Sequence, residues 1–300
     1  YLGYQGVLRL RFFVLLLVVS FLGYWVLESA RSSKETIYRE QSLQELATIY
    51  QAGLVTYEKA TALLVGETIR KPEVRELLKA AKAVDGDAKT PFRAQLFRLL
   101  TPSNRSLREQ GVRQFHLHSP DGTSFLRFHE PQKFGDDLLP YRPSVRIAQR
   151  DRHPVRGFEI GKVKSGFRYV FPIEEDQELL GSVETSIGFR MLRDTMADLS
   201  PSREFFFVLS KDGVLQSLFE SERWMYGQST LHPDFVVEDP QVRLPDSPPP
   251  PSPDVIRLNE ALREIPEVQE GMKKFNAFAH IVNHDGEPWI VGFLPIRDVE

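Results

Sequence analysis

Val112-Arg113-Gln114-Phe115-His116-Leu117-His118-Ser119, then Pro120-Asp121-Gly122, then Thr123-Ser124-Phe125-Leu126-Arg127-Phe128-His129 is the stretch that decides the fold. Two runs rich in aromatic and aliphatic residues flank a Pro-Asp-Gly triplet. Proline presets φ for the turn and glycine accepts the left-handed position, so residues 113–119 and 123–129 read as the arms of a hairpin. This period of two begins only after Gly111. Upstream the period is helical: Leu43, Leu46, Tyr50, Gly53, Tyr57, Ala60 and Leu64 recur at gaps of three and four, one apolar stripe on a long helix. Lys71-Pro72 ends it, because proline disfavours helix in the residue before it and suits the first turn of the next. Val74, Leu77, Leu78 and Ala81 mark a second helix, Asp85-Gly86-Asp87 interrupts it, and Thr90-Pro91 opens a third. Thr90 is the expected N-cap there, with Phe92, Leu96 and Leu99 on one face.

Further upstream, every residue of 12–27 is apolar, aromatic, Gly or Ser, and with Leu8 and Leu10 the stretch reaches the ~20 residues needed to cross hydrocarbon. Arg9 and Arg11 precede it and Glu28 follows, which places the N-terminus in the cytoplasm, while Tyr24 and Trp25 fall where an interfacial aromatic belt belongs. Residues 8–27 are therefore expected to engage a membrane as an uncleaved anchor. They are long for the apolar region of a signal peptide, and no comparably apolar segment offers itself as a packing partner.

Downstream, strands are expected at 158–163, at 167–172 across a Lys164-Ser165-Gly166 turn, and at 180–186, with a long irregular stretch over 131–156. A second unit begins near Pro201, with strands at 205–209 and 214–219 around Lys211-Asp212-Gly213. It closes with strands at 275–283 and 288–296 around His284-Asp285-Gly286. Residues 244–253, with Pro248 to Pro251 in succession, read as an exposed polyproline-like loop. The resulting class is α+β, divided into an anchor (1–30), a helical stalk (31–111), a first sheet domain (112–198) and a second (199–300).

Composition narrows the chemistry. With 38 Lys and Arg against 41 Asp and Glu, the net charge of −3 provides no field for nucleic acid, which is not an expected partner. The absence of cysteine excludes disulfides, thiolate nucleophiles and Cys-ligated metals. No Gly-x-Ser-x-Gly, Gly-rich phosphate loop or His-Glu-x-x-His occurs, and Asp136-Asp137 point apart if extended. Neither a catalytic residue nor a cofactor is expected.

Binding is better represented. His116 and His118 share one face of their strand. If Ser119 pairs with Thr123, then Phe115, Leu117, Phe125, Arg127 and His129 lie on the other, so the three histidines do not converge and no metal site is expected. A guanidinium with such neighbours needs a carboxylate or an anionic ligand when buried, and Arg127 and Arg168 both pose that question. Asp136, Asp137, Glu159 and Glu184 can answer it internally, and Arg142, on a loop, is placed to meet a ligand. The candidate ligand-binding residues are Arg127, His129, Arg142, Arg168, Glu159 and Asp137.

The anchor, the long helix and two successive small sheets resemble the double Cache receptors. The hairpin quoted above, with Lys133-Phe134-Gly135-Asp136-Asp137-Leu138, Tyr141-Arg142, Gly157-Phe158-Glu159, Gly166-Phe167-Arg168, Pro172 and Gly181-Ser182-Val183-Glu184, is similar to the subfamily described as a double sensory domain of two-component sensor kinases. The likeness is dense over 112–187 and thinner elsewhere. It implies two PAS-like sheet domains in tandem, the first membrane-distal and binding a small molecule, the second membrane-proximal and followed by another span. It also implies a homodimer in the bacterial inner membrane with its sensing domains periplasmic or extracellular. The output would be a histidine kinase, a diguanylate cyclase or a chemotaxis receptor. The Tyr…Arg-x-Trp-Tyr…Asp signature of amino-acid-binding relatives is not found, so amino acid sensing does not carry over. A membrane-tethered scaffold or adhesion module that recognises another protein is the alternative reading.

Overall fold

The computed structural model describes residues 2–239 and 247–299. They divide into two compact units, one of Tyr1–Thr48 with Pro266–Pro295, the other of Ile49–Ile265 with Ile296–Glu300. Helix α1, Leu2–Ile69, contributes its first part to the former and its last part to the latter.

In the first unit α1 carries a window long and apolar enough to cross a membrane, none of it buried, and Phe12, Leu16, Phe21, Trp25 and Leu27 all face outward. A helix this apolar left uncovered is what a bilayer solvates and water does not.

In the second unit the inner stripe of α1 runs through Tyr50, Gly53, Leu54, Thr61, Val65, Thr68 and Ile69. It is rotated slightly from the expected one, because Thr61 and Thr68 satisfy their hydroxyls on Tyr57 O and Leu64 O and so bury readily. Helix α2, Pro72–Lys82, starts on its proline as expected. Helix α3, Thr90–Glu109, departs from expectation: Thr90 is already helical, Lys89 precedes it without a side-chain cap, and the buried face is Arg93, Leu96, Leu100 and Leu107.

Strands β1 (Gln114–His118) and β2 (Ser124–Arg127) form the expected hairpin. The stretch after it is less irregular than expected, since helix α4 spans Pro143–Asp151. Pro143 opens it, and Ser144, Val145, Ala148 and Gln149 form its buried face. Strands β3 (Val155–Ile160), β4 (Ser165–Glu175) and β5 (Glu178–Ile187) complete a five-stranded antiparallel sheet in the order β2-β1-β5-β4-β3. The β3–β4 turn falls before Ser165, which pairs with Ile160, rather than at Lys164-Ser165-Gly166.

Alternation along these strands sorts the sheet into two faces. Cross-strand pairs put Phe115, Leu117, Phe158, Phe167, Tyr169, Val183 and Ile187 on one face. That face packs on α1 and on helix α5, Phe189–Leu199. Tyr169 Oη donates to Leu54 O, and a side chain at Gly53 would come within 2.8 Å of Leu192 Cδ1. Tyr50, Phe158, Phe189 and Phe207 surround Phe167 with ring centroids 5.6–6.2 Å away. Each buried aromatic is worth about 1.5–3 kcal/mol, so this face holds the principal core. The other face carries Gln114, His116, His118, Glu159, Arg168, Ser182, Glu184 and Ser186, under a loop and α4.

Residues 211–213 do not form the expected hairpin turn. Ser210 ends the two-residue strand β6 (Leu209–Ser210) and accepts from Gly213 N, which caps helix α6, Lys211–Ser217. Strands β7 (Tyr226–Gln228) and β8 (Phe235–Glu238) join β6 in a three-stranded sheet ordered β6-β8-β7. Of the expected Pro-rich loop, residues 244–246 lie outside the described residues. Pro249 to Pro251 are exposed, and Ser252 then caps helix α7, Pro253–Arg263. The tail returns to the sheet edge: Val299 N donates to Phe158 O at 3.0 Å, Asp298 Oδ2 accepts from Ile160 N at 3.2 Å, and Val299 packs on a small core of Val145, Ala148, Val155 and Val170.

In the first unit, helix α8 (Pro266–Lys273) leads to the hairpin of β9 (Phe278–His284) and β10 (Glu287–Phe293), as expected from its Asp-Gly pair. Asp285 and Gly286 both take positive φ, the signature of a type I′ turn.

Candidate functional site

Ionisable side chains on the polar face of the five-stranded sheet meet in one buried network. Arg168 projects from β4 beside Glu184 of β5 and Glu159 of β3. Its Nη1 donates to Glu184 Oε1 at 2.7 Å and its Nε lies 2.9 Å from Glu159 Oε2. Arg142 enters from above, at the residue that precedes α4. Its Nε donates to Glu159 Oε2 at 3.0 Å and its Nη2 to Glu184 Oε2. The second Glu159 oxygen accepts from Ser144 N, in the first turn of α4, at 2.7 Å. Two guanidinium groups and two carboxylates thus close a ring. Gln114 extends it by accepting from Arg168 Nη1 and from Ser186 Oγ.

Two imidazoles flank the ring. His118 Nδ1 is 2.8 Å from Ser182 Oγ, an oxygen that accepts from Gln149 Nε2 of α4, while His118 Nε2 lies 3.6 Å from Glu184 Oε2 with no hydrogen bond. His116 Nε2 is 2.9 Å from Ser124 Oγ, and the two rings meet edge-on at 4.3 Å.

Burial decides the charge states. Desolvation lowers His118 to about 3 despite the Glu184 carboxylate, and lowers His116 well below the usual imidazole range, reinforced by His118, so both rings are neutral. Burial opposes the ionised form of Glu184, but Arg142 and Arg168 outweigh it and hold that carboxyl far below its ordinary range. Arg142 is raised, its two glutamates overcoming desolvation. The ring pairs two guanidinium groups with two carboxylates, equal in number. Arg168 and Glu184 are at most 2% exposed, whereas the Arg142 side chain is 13% exposed and is the ring's contact with the surface.

Three of the six residues singled out in the sequence, Arg142, Arg168 and Glu159, meet in this ring. The others do not join it. Arg127 lies on the His116 face rather than with Phe115, because a bulge between the Leu117 and His118 pairings lets two residues of β2 oppose one and flips the register. It forms a two-pronged pair with Asp136 at 2.7 and 2.8 Å and also donates to Lys133 O. Asp137 accepts from Leu139 N and closes a local turn, and His129 is exposed beyond the end of β2. Glu184, expected as an internal partner, joins the ring, whereas Ser182 and Ser186 were not singled out. Polar residues at every second position of an otherwise apolar strand are the signal that marks them.

A five-stranded antiparallel sheet in the order β2-β1-β5-β4-β3, with helices on its apolar face and a loop-helix cover over its charged face, is a PAS-like architecture. The profile of the double sensory domain of two-component sensor kinase matches residues 40–228, and the chain belongs to that family, double Cache. No curated protein sequence matches it. Among solved structures it is similar to the sensor domain of the V. cholerae histidine kinase DctB, at 14% identity and a TM-score of 0.41, covering 52% of this chain and 60% of that one. It is also similar to the sensory domain of the Campylobacter jejuni chemoreceptor Tlp3 crystallised with isoleucine, at 14% identity and 0.34, covering 58% and 69%. A domain of a sensory box/GGDEF family protein from Vibrio parahaemolyticus aligns at 13% identity and 0.44, over 87% and 91%. This chain thus spans less than two thirds of the first of these.

Proposed function

We propose that this chain is the extracytoplasmic sensing region of a bacterial transmembrane receptor, held in the inner membrane through residues 8–27, and that a small molecule binds at the charged face of the five-stranded sheet. The observation that carries this reading is the partial exposure of Arg142 at the mouth of an otherwise buried, charge-balanced ring. An anionic group arriving there competes with Glu159 and Glu184 for a planar donor suited to carboxylates. Arg142 then has two arrangements, on its glutamates or on the ligand, and a ligand that favours one shifts their populations. Because Arg142 leads into α4 and the opposite face of the same sheet packs on α1, the exchange can bias the long helix and a cytoplasmic output domain.

Arg168 and Glu159 complete this site, and Arg127, His129 and Asp137 border it. The boundaries 112–198 and 199–300 are proposed as membrane-distal and membrane-proximal domains of a homodimeric receptor, with the segment itself sensing rather than catalysing. The test is a thermal-shift screen of residues 32–300 against carboxylates, amines, nucleobases and sugars. A ligand of the folded state raises the midpoint. Arg142→Gln should abolish the shift, and a shift that survives it moves the site elsewhere.

A further inference from the structure

His116, His118 and Glu184 bring one ligand atom each to within 4.8 Å of one another, all three residues buried. Each imidazole has one nitrogen fixed by a serine, Ser124 for His116 and Ser182 for His118, and Ser182 is itself held by Gln149. This outer support is the arrangement that orients metal-binding histidines. The fixed nitrogens leave His116 Nδ1 and His118 Nε2 as the atoms available to a ligand. His118 Nε2 is buried without a hydrogen-bond partner and lies 3.6 Å from Glu184 Oε2, a distance too long for a direct bond. Two donors each about 2.0–2.1 Å from a tetrahedral ion sit about 3.3–3.4 Å apart, so a small contraction accommodates one. His118 also contributes to the wall of a cavity of about 160 Å³ beside α2 and the β1–β2 turn, with its side chain fully buried.

We propose that His116, His118 and Glu184 form a binding site for a first-row divalent cation of the zinc class, filled in exchange for Arg142 at Glu184 Oε2. Two imidazoles and a carboxylate form an open three-ligand set of that class. The exchange follows from charge. Arg142 and Arg168 already neutralise Glu159 and Glu184, and a buried dication adds two uncompensated charges. Arg142, at the mouth, is the guanidinium able to withdraw. The cation thus gives a ligand class to the sheet face proposed above, and it rests on that reading only for the consequence that binding signals. Withdrawal of Arg142 also frees it for an anionic partner of the cation.

The test uses the full chain in detergent, stripped of metal and titrated with Co²⁺ alone and then Zn²⁺. The expected result is one Co²⁺ per chain, with visible absorption displaced by Zn²⁺. His118→Gln should weaken Co²⁺ binding by ~100-fold, within the range for lost metal-site interactions. Arg142→Gln should tighten it about tenfold, as relief of a competing interaction does, and Zn²⁺ should raise its melting midpoint. Wild-type protein that takes up no Co²⁺, or uptake undiminished in His118→Gln, overturns the proposal, and so does Arg142→Gln that binds Co²⁺ more weakly than wild type. A chain that ignores these metals yet is stabilised by an organic ligand loses this inference and keeps the sensing one.

Discussion

Arg168 donates from Nη1 to Glu184 Oε1 at 2.7 Å in a layer sealed between β4, β5 and α4. Removing one partner of a buried pair strands the other's charge, at a typical cost of 3–5 kcal/mol. Arg168→Met should therefore lower stability by ~3–5 kcal/mol in urea titrations. Adding Glu184→Gln should recover part of that loss, since it removes one of the stranded charges. A single variant as stable as wild type would show that the ring is not a structural unit.

The Arg127–Asp136 pair should behave differently, because Asp136 is half exposed. Exposed pairs are worth about 1 kcal/mol or less, so Arg127→Lys should leave the melting midpoint of the free protein nearly unchanged. If Arg127 also borders the ligand site, the same variant weakens the response to a ligand found by screening. The pH dependence has a definite sign. The Arg127 hydrogen bonds hold Asp136 below its usual range, so the pair's contribution is present above the unfolded carboxyl pKa of about 3.9. It fades as the pH falls through the lower folded value. Melting midpoints of wild type and Asp136→Asn should thus converge in strong acid, and a gap that widens there would contradict the assignment.

The reach of the sequence varied with the range of the interaction. Pro72, Pro91 and the Asp-Gly pairs at 121–122 and 285–286 act locally, and the elements they punctuate are present. Lys211-Asp212-Gly213 shows the limit: the same pair sits in a helix once Ser210 caps it, and Thr90 is the first residue of its helix rather than its cap. Within the ring, Arg168 was legible as a charge needing a partner, Glu159 and Glu184 as carboxylates able to supply one, and Arg142 as a loop residue placed to meet a ligand. Arg127 was not placed correctly because a one-residue bulge, unmarked in the sequence, turned its side chain to the other face.

Gly181 takes φ +142, and a Cβ there would collide with His118 O. Strained backbone costs of order 1–3 kcal/mol before the clash is counted. Gly181→Ala should therefore destabilise more than Gly86→Ala, where φ is +56 but no atom lies within 4 Å. Equal melting midpoints for the two variants would show that the close approach of Gly181 to His118 O is not what requires glycine there.

Removal of residues 1–30 should yield a soluble protein with its sheets intact, because the apolar window of α1 is unburied and the aromatic core begins at Tyr50. Circular dichroism and gel filtration check this, and recovery only as aggregate from several hosts would count against the domain plan. The full chain should need detergent.

Val299 packs in the same small core as Val145 and Ala148 of α4, while its amide is pinned to Phe158 of β3. Packed interiors deform little, so a shift of α4 is not absorbed within its own turn. It has to be taken up where α4 touches that core, and one of those places is the tail of the chain. Arg142 lies one residue before α4, so the helix that carries this guanidinium shares its core with Val299, whose amide is bonded to β3. A reporter group on residue 299 should therefore sense a shift of α4 from a position that does not touch the ring.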